Sequence, residues 1–168
     1  MKKSYKYLCA LLCVIVTVCL SSCGVDARGD DLSGLLSRVN ALSGSTLGAK
    51  GFIYSEESRE YSSFLRCENG ATVLLTCTAN AKGVLECVSV TFPRCELSSA
   101  ETSVTEYIFD AFSKSESGFS TSYLTEINFY QPADAPVLRS CTAESDSLKF
   151  TLTRTDTGMC VSCGLKSP

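Results

Sequence analysis

Apolar residues recur along this chain at two periods, and the alternation between them lays out the elements. Leu32, Leu35, Leu36, Val39 and Leu42 fall on one face at the helical period, which predicts a helix from about Asp31 to Leu42. Asp30 or Asp31 can cap its start, and Ser43-Gly44 ends it. Gly48, Gly51 and Gly70 mark turns around a short strand expected at Phe52 to Tyr54, and Glu56 to Leu65 is read as a second helix. A period of two then predicts a hairpin, Thr72 to Ala79 and Val84 to Phe92, turning at Asn80-Ala81-Lys82-Gly83. Ser98 and Glu101 form a capping box for another helix, in which Val104, Tyr107, Ile108, Ala111 and Phe112 make the packed face as far as about Ser115. Gly118 breaks that pattern, and a strand is expected from Tyr123 to Tyr130. After a turn with Pro132 and Pro136 come a hairpin, Val137 to Ala143 and Leu148 to Arg154, the turn Asp156-Thr157-Gly158, and a last strand, Met159 to Leu165. Helix, strands, helix, strands is the order of an α+β domain whose antiparallel sheet carries its helices on one face.

Two readings of the first hairpin compete. A three-residue loop, Ala81 to Gly83, sets Cys77 opposite Cys87 and permits a cross-strand bridge. If Ala79 faces Val84 instead, Val73, Leu75, Cys77, Val84, Val88, Val90 and Phe92 share one face, with Thr76, Thr78, Cys87, Ser89 and Thr91 on the other. A slip of one residue exchanges the two faces of a strand, so the cleaner amphipathic pattern decides for the second register. Cys77 is then a core residue and Cys87 points away.

Val73-Leu74-Leu75-Thr76-Cys77-Thr78-Ala79 also matches Val137-Leu138-Arg139-Ser140-Cys141-Thr142-Ala143 at five of seven positions, 64 residues on. The match suggests a duplicated helix-plus-hairpin unit with halves 32–95 and 96–168, and it makes Cys141 a core residue like Cys77. Chance similarity between two Thr-rich strands is the alternative. The organisation is similar to the helix-then-hairpin repeats of small exported inhibitor and PepSY-like modules, a likeness that implies binding or shielding of proteins.

Ahead of this domain lies a different pattern: Lys2, Lys3 and Lys6, an apolar run from Tyr7 to Leu20, then Leu20-Ser21-Ser22-Cys23. A basic start, a short apolar centre and small residues before a cut are the parts of a secretory signal, and the run falls short of the roughly 20 apolar residues a spanning helix needs. Leu and two small residues before a cysteine resemble the lipobox of bacterial lipoproteins. The resemblance implies cleavage after residue 22, a diacylglycerol on the Cys23 sulfur as the only covalent group, and a domain held on the extracytoplasmic face of a membrane. In a host with an outer membrane, Gly24 after the lipidated residue implies sorting outward. Two long acyl chains suffice for stable anchoring, each buried methylene contributing roughly 0.8 kcal/mol. An ordinary cleaved signal or an anchoring helix is the plainer alternative.

Residues 23–31 then form a tether, and 32–168 a single domain. Loss of three lysines with the signal moves the formal charge from −3 to −6, and the twelve remaining Lys and Arg are scattered singly. That pattern gives no electrostatic footprint for nucleic acid. Arg28-Gly29-Asp30 in the tether is a tripeptide that some adhesion receptors read, though three such common residues also meet by chance.

Seven cysteines follow Cys23, at 67, 77, 87, 95, 141, 160 and 163. In an exported domain they suggest disulfides, but the number is odd, and Cys9, Cys13 and Cys19 in the signal have no fold to staple. Cys160-Val161-Ser162-Cys163 has the spacing of a thiol redox or disulfide pair, yet no helix pattern follows it to lower a thiol pKa. No second close pair and no histidine exist for zinc, so no metal is expected. The missing imidazole also removes the usual activator of serine and cysteine nucleophiles. Glu56, Glu57, Glu60, Glu101 and Glu126 supply carboxylates without distinctive spacing, and no phosphate loop appears. The expectation is therefore a membrane-anchored lipoprotein that binds or supports an envelope component without catalysis. Its rival is a thiol redox protein using Cys160 and Cys163.

Overall fold

The structure, a computed structural model, describes residues 30–67, 70, 72–115, 117–131 and 140–166. The expected lipobox and the expected tether as far as residue 29 lie outside the described residues, as do Pro132, Pro136 and the first part of the expected strand at Val137.

Helix α1, Leu32–Ser43, starts where expected, because the Asp31 carboxylate accepts the Gly34 N–H at 2.8 Å. It stops at Gly44, whose φ of 69° is the left-handed conformation glycine adopts without steric cost. The expected helix at Glu56 to Leu65 is instead the turn and second strand of a hairpin, β1 (Ile53–Ser55) and β2 (Glu60–Arg66). Pairing decides this: β2 aligns with β3 (Thr72–Ala79) over seven residues and buries Leu65, while Arg59 takes the positive φ of the turn. β4, Leu85–Phe92, completes the first half.

Helix α2, Ser99–Ser113, opens on the expected capping box of Ser98 and Glu101. The strand expected at Tyr123 to Tyr130 is a helix, α3, Phe119–Glu126, followed by a turn. Ser120, Leu124 and Ile127 are buried at helical spacing, and the buried Asp110 carboxylate accepts the Gly118 and Ser120 N–H groups at 2.6 and 2.7 Å. Those two bonds satisfy donors that the start of a helix leaves open, so tertiary contact overrides the strand propensity of the segment. β5 (Ser140–Glu144), β6 (Leu148–Arg154) and β7 (Met159–Leu165) finish the chain.

Among the described residues seven strands form one antiparallel sheet in the order β1-β2-β3-β4-β7-β6-β5, which with three α-helices makes the domain α+β as expected. Inward residues such as Val73, Leu75, Val88, Val90, Phe150 and Val161 share a core with Leu35, Val39, Ile108 and Phe109 of the helices. The first half supplies α1 and the four-strand meander β1 to β4, the second α2, α3 and the three-strand meander β5 to β7, and the halves meet at β4 and β7. The 64-residue match does not follow that arrangement. It equates β3, an interior strand, with β5, an edge strand.

Candidate functional site

The face assignment of the first hairpin holds, although its register is shifted. Ala79 pairs with Leu85 rather than Val84, a bulge follows at Thr78/Ala79, and Cys77 faces Val88. Leu85 accordingly takes the buried place expected of Val84, and Thr78 rather than Cys77 lies opposite Cys87. Cys77 is 0 % exposed, and burial, with the Cys87 thiol and Glu60 adding to it, pushes its pKa up to about 12. Cys141 is half-buried at the margin of the core, since an edge strand has a neighbour on one side only.

The Cys160 and Cys163 thiols are not brought together. Both lie on β7, where Cys160 pairs with Thr91 and Cys163 with Val88, so alternation sends them to opposite faces. Cys163 is fully buried and its pKa is driven far upward by burial and then by Cys87, which keeps it a neutral thiol. All seven cysteines of the described domain are free. Among the described residues no group of three or more candidate side chains could hold a metal.

The outward sheet face is polar. The register sets Ser62, Thr76, Ser89, Ser162, Thr151 and Thr142 side by side in one row across six strands. Phe64, 74 % exposed, stands on the same face toward the β1 edge.

A concave feature lies on the helical side. A cleft of about 320 Å³ opens between the end of α1, the first half of α2 and the end of β2. Val39 and Leu65, both buried, supply its apolar depth, with Val104 beside them. Ser99, Ser103 and Tyr107 run along α2 at successive i, i+4 steps and line it with hydroxyls. Ser43 and Ser45, on the opposite wall, are already engaged, donating to the Val39 carbonyl at 2.7 Å and to Asn40 Oδ1 at 3.0 Å. Arg66, exposed at the end of β2, also borders the cleft. Cys67, 8 % exposed, sits at its edge with its pKa raised, chiefly by burial and then by Glu101.

Glu101 itself stays out of the cleft. It is 0 % exposed and held by Ser98 N and Oγ at 2.9 and 2.7 Å, while Arg94 Nη2 reaches both carboxylate oxygens at 2.8 Å. The capping box thus doubles as an ion pair between the buried Glu101 carboxylate and the half-exposed Arg94.

Sequence reasoning missed the cleft because Val104 and Tyr107 were counted with the packed face. Ile108, Ala111 and Phe112 of that face are buried as expected, whereas Val104 and Tyr107 are only half-buried and Thr105 and Phe109 are buried beside the three. The signal was present in Ser99, Ser103 and Tyr107, a polar stripe beside an apolar one.

No protein-family model matches the chain, and no curated protein or solved structure matches it either.

Proposed function

We propose that this chain is a bacterial surface lipoprotein whose α+β domain binds another component of the cell envelope without catalysing a reaction. The observation that carries the reading is Leu20-Ser21-Ser22-Cys23 at the end of a basic-then-apolar leader. Among the described residues no helix is long and apolar enough to cross a membrane, so a lipid on Cys23 would supply the anchor.

The attachment of the tether supports this role. The Asp30 carboxylate ion-pairs with Arg38 of α1 and with Lys114 Nζ at 3.2 Å, just beyond α2, and its carbonyl accepts the Leu85 N–H of β4 at 2.9 Å. The domain therefore begins at a fixed point, within about 30 Å of Cys23 even along an extended chain. The cleft lies toward the far ends of the same elements, at the last turn of α1 and the end of β2, so it would open away from the bilayer. The binding role rests on that presented cleft and on the lack of an imidazole base anywhere in the chain.

Fractionating cells that carry Cys23→Ala tests the anchor. The wild-type chain should sediment with membranes and the variant should be released; a variant that still sediments would overturn the reading.

A further inference from the structure

We propose that the fold withholds Arg28-Gly29-Asp30 from adhesion receptors by using Asp30 as a latch between α1, α2 and β4. The inference goes beyond the anchor and binding roles proposed above, and it holds whether or not Cys23 carries a lipid.

An aspartate in such a tripeptide is recognised through its carboxylate, which a partner must reach with donors or a cation of its own. In this fold both oxygens are already taken. Asp30 Oδ2 ion-pairs with Arg38 Nη1, and Oδ1 with Lys114 Nζ at 3.2 Å. Arg38 is held in turn, its Nε donating to the Ala111 carbonyl at 2.7 Å, so one carboxylate ties α1 to the end of α2. The backbone is engaged as well, because the Asp30 carbonyl accepts the Leu85 N–H of β4 at 2.9 Å. Packing closes the arrangement. A Cβ at Gly34 would lie 3.0 Å from both Asp30 Cβ and Oδ2, so the missing side chain in the first turn of α1 is what lets the aspartate lie against the helix. Asp31 offers no substitute, since its carboxylate accepts the Gly34 N–H as the cap of α1. Exposed ion pairs are weak singly, and the Asp30 side chain keeps 30 % of its exposure. A receptor must nevertheless displace two cations, a backbone hydrogen bond and a helix contact together to draw this residue out.

A soluble integrin ectodomain that reads Arg-Gly-Asp, immobilised in the presence of manganese, tests the latch against two probes. One is the synthetic peptide of residues 24–32, and the other is the full chain carrying Cys23→Ala, which bears no acyl group. The peptide should bind saturably and lose binding on Asp30→Ala, whereas the folded chain should bind at least about tenfold more weakly than the peptide. Removing both cations with Arg38→Ala and Lys114→Ala should bring the chain to within about threefold of the peptide, and adding Asp30→Ala to that variant should abolish binding again. Amide exchange at Leu85 should quicken in the same double variant, since its N–H loses a fixed acceptor. Circular dichroism confirms the fold, and Arg38→Gln with Lys114→Gln, which keep long side chains, replace the alanine pair if it unfolds. A folded wild-type chain that binds as tightly as the peptide, a peptide that does not bind, or a folded double variant that stays silent would overturn the proposal. Each outcome is independent of the Cys23 fractionation test.

Discussion

Cys160 and Cys163 sit three residues apart on one strand and face opposite sides of the sheet, the first against Thr91 and the second against Val88. Three steps of strand set their Cα atoms about 10 Å apart, beyond the roughly 4.4–6.8 Å that a disulfide spans. Under native conditions a maleimide should modify Cys160, while Cys163 reacts only after unfolding, and mass mapping should find no bridge between them. A Cys160–Cys163 disulfide in the folded protein would revive the redox reading.

Core thiols make the domain sensitive to alkali. Cysteine titrates near about 8.5 in an unfolded chain, whereas burial holds Cys77 up to about 12 and Cys163 also far above its usual range. The folded state therefore keeps protons that the unfolded state loses. This stabilisation is complete below about pH 8.5 and is lost as pH rises from there through the folded pKa. Each thiol contributes a slope of up to about 1.4 kcal/mol per pH unit in that window. Urea unfolding between pH 8 and 10.5 should show the decline, and a Cys77→Val, Cys163→Val chain should show a shallower one. Equal slopes would contradict it.

Arg94 and Glu101 predict an asymmetric pair of variants. Arg94→Ala leaves a fully buried carboxylate with only its Ser98 donors and should cost about 1–3 kcal/mol. Arg94→Lys should restore part of the loss, since an ammonium keeps the charge but not the paired donors. Denaturant unfolding reads both, and an Arg94→Ala cost below about 0.5 kcal/mol would mean that the pair contributes little.

Gly158 is required by close approach. A Cβ at that position would lie 2.5 Å from the Phe92 carbonyl oxygen, a backbone atom that cannot swing aside. Gly158→Ala should therefore shift the β4–β7 boundary and lower stability by about 1–3 kcal/mol, on the scale of overpacking a tight site. A wild-type melting temperature would show that the turn relaxes freely.

Where a single local signal dominated, the chain could be read directly. The Asp31 cap, the Ser98–Glu101 box and the alternating faces of β3 and β4 each depend on residues close in sequence. Misreadings occurred where distant partners decide. Glu56 to Leu65 is expected to be helical, and its second part becomes strand Glu60–Arg66 because β3 lies beside it. Phe119–Glu126 contains β-prone aromatic and Thr residues and becomes a helix because Asp110 caps its start. The cleft was hidden for a related reason: Val104 and Tyr107 belong to an apolar periodicity, and only the packing of α1 against α2 leaves that edge open. The 64-residue similarity shows the opposite hazard, a match in local sequence between strands in unlike positions of the sheet.

On the function proposed above, Cys23 carries the lipid that would place this domain on a membrane. Intact mass and fragment-ion analysis of the chain purified from the membrane fraction of its host tests it most directly. The predicted result is a chain beginning at Cys23, with its sulfur carrying a diacylglycerol thioether. A membrane-bound chain that retains residues 1–22, or one that begins at another residue without lipid, would contradict the account.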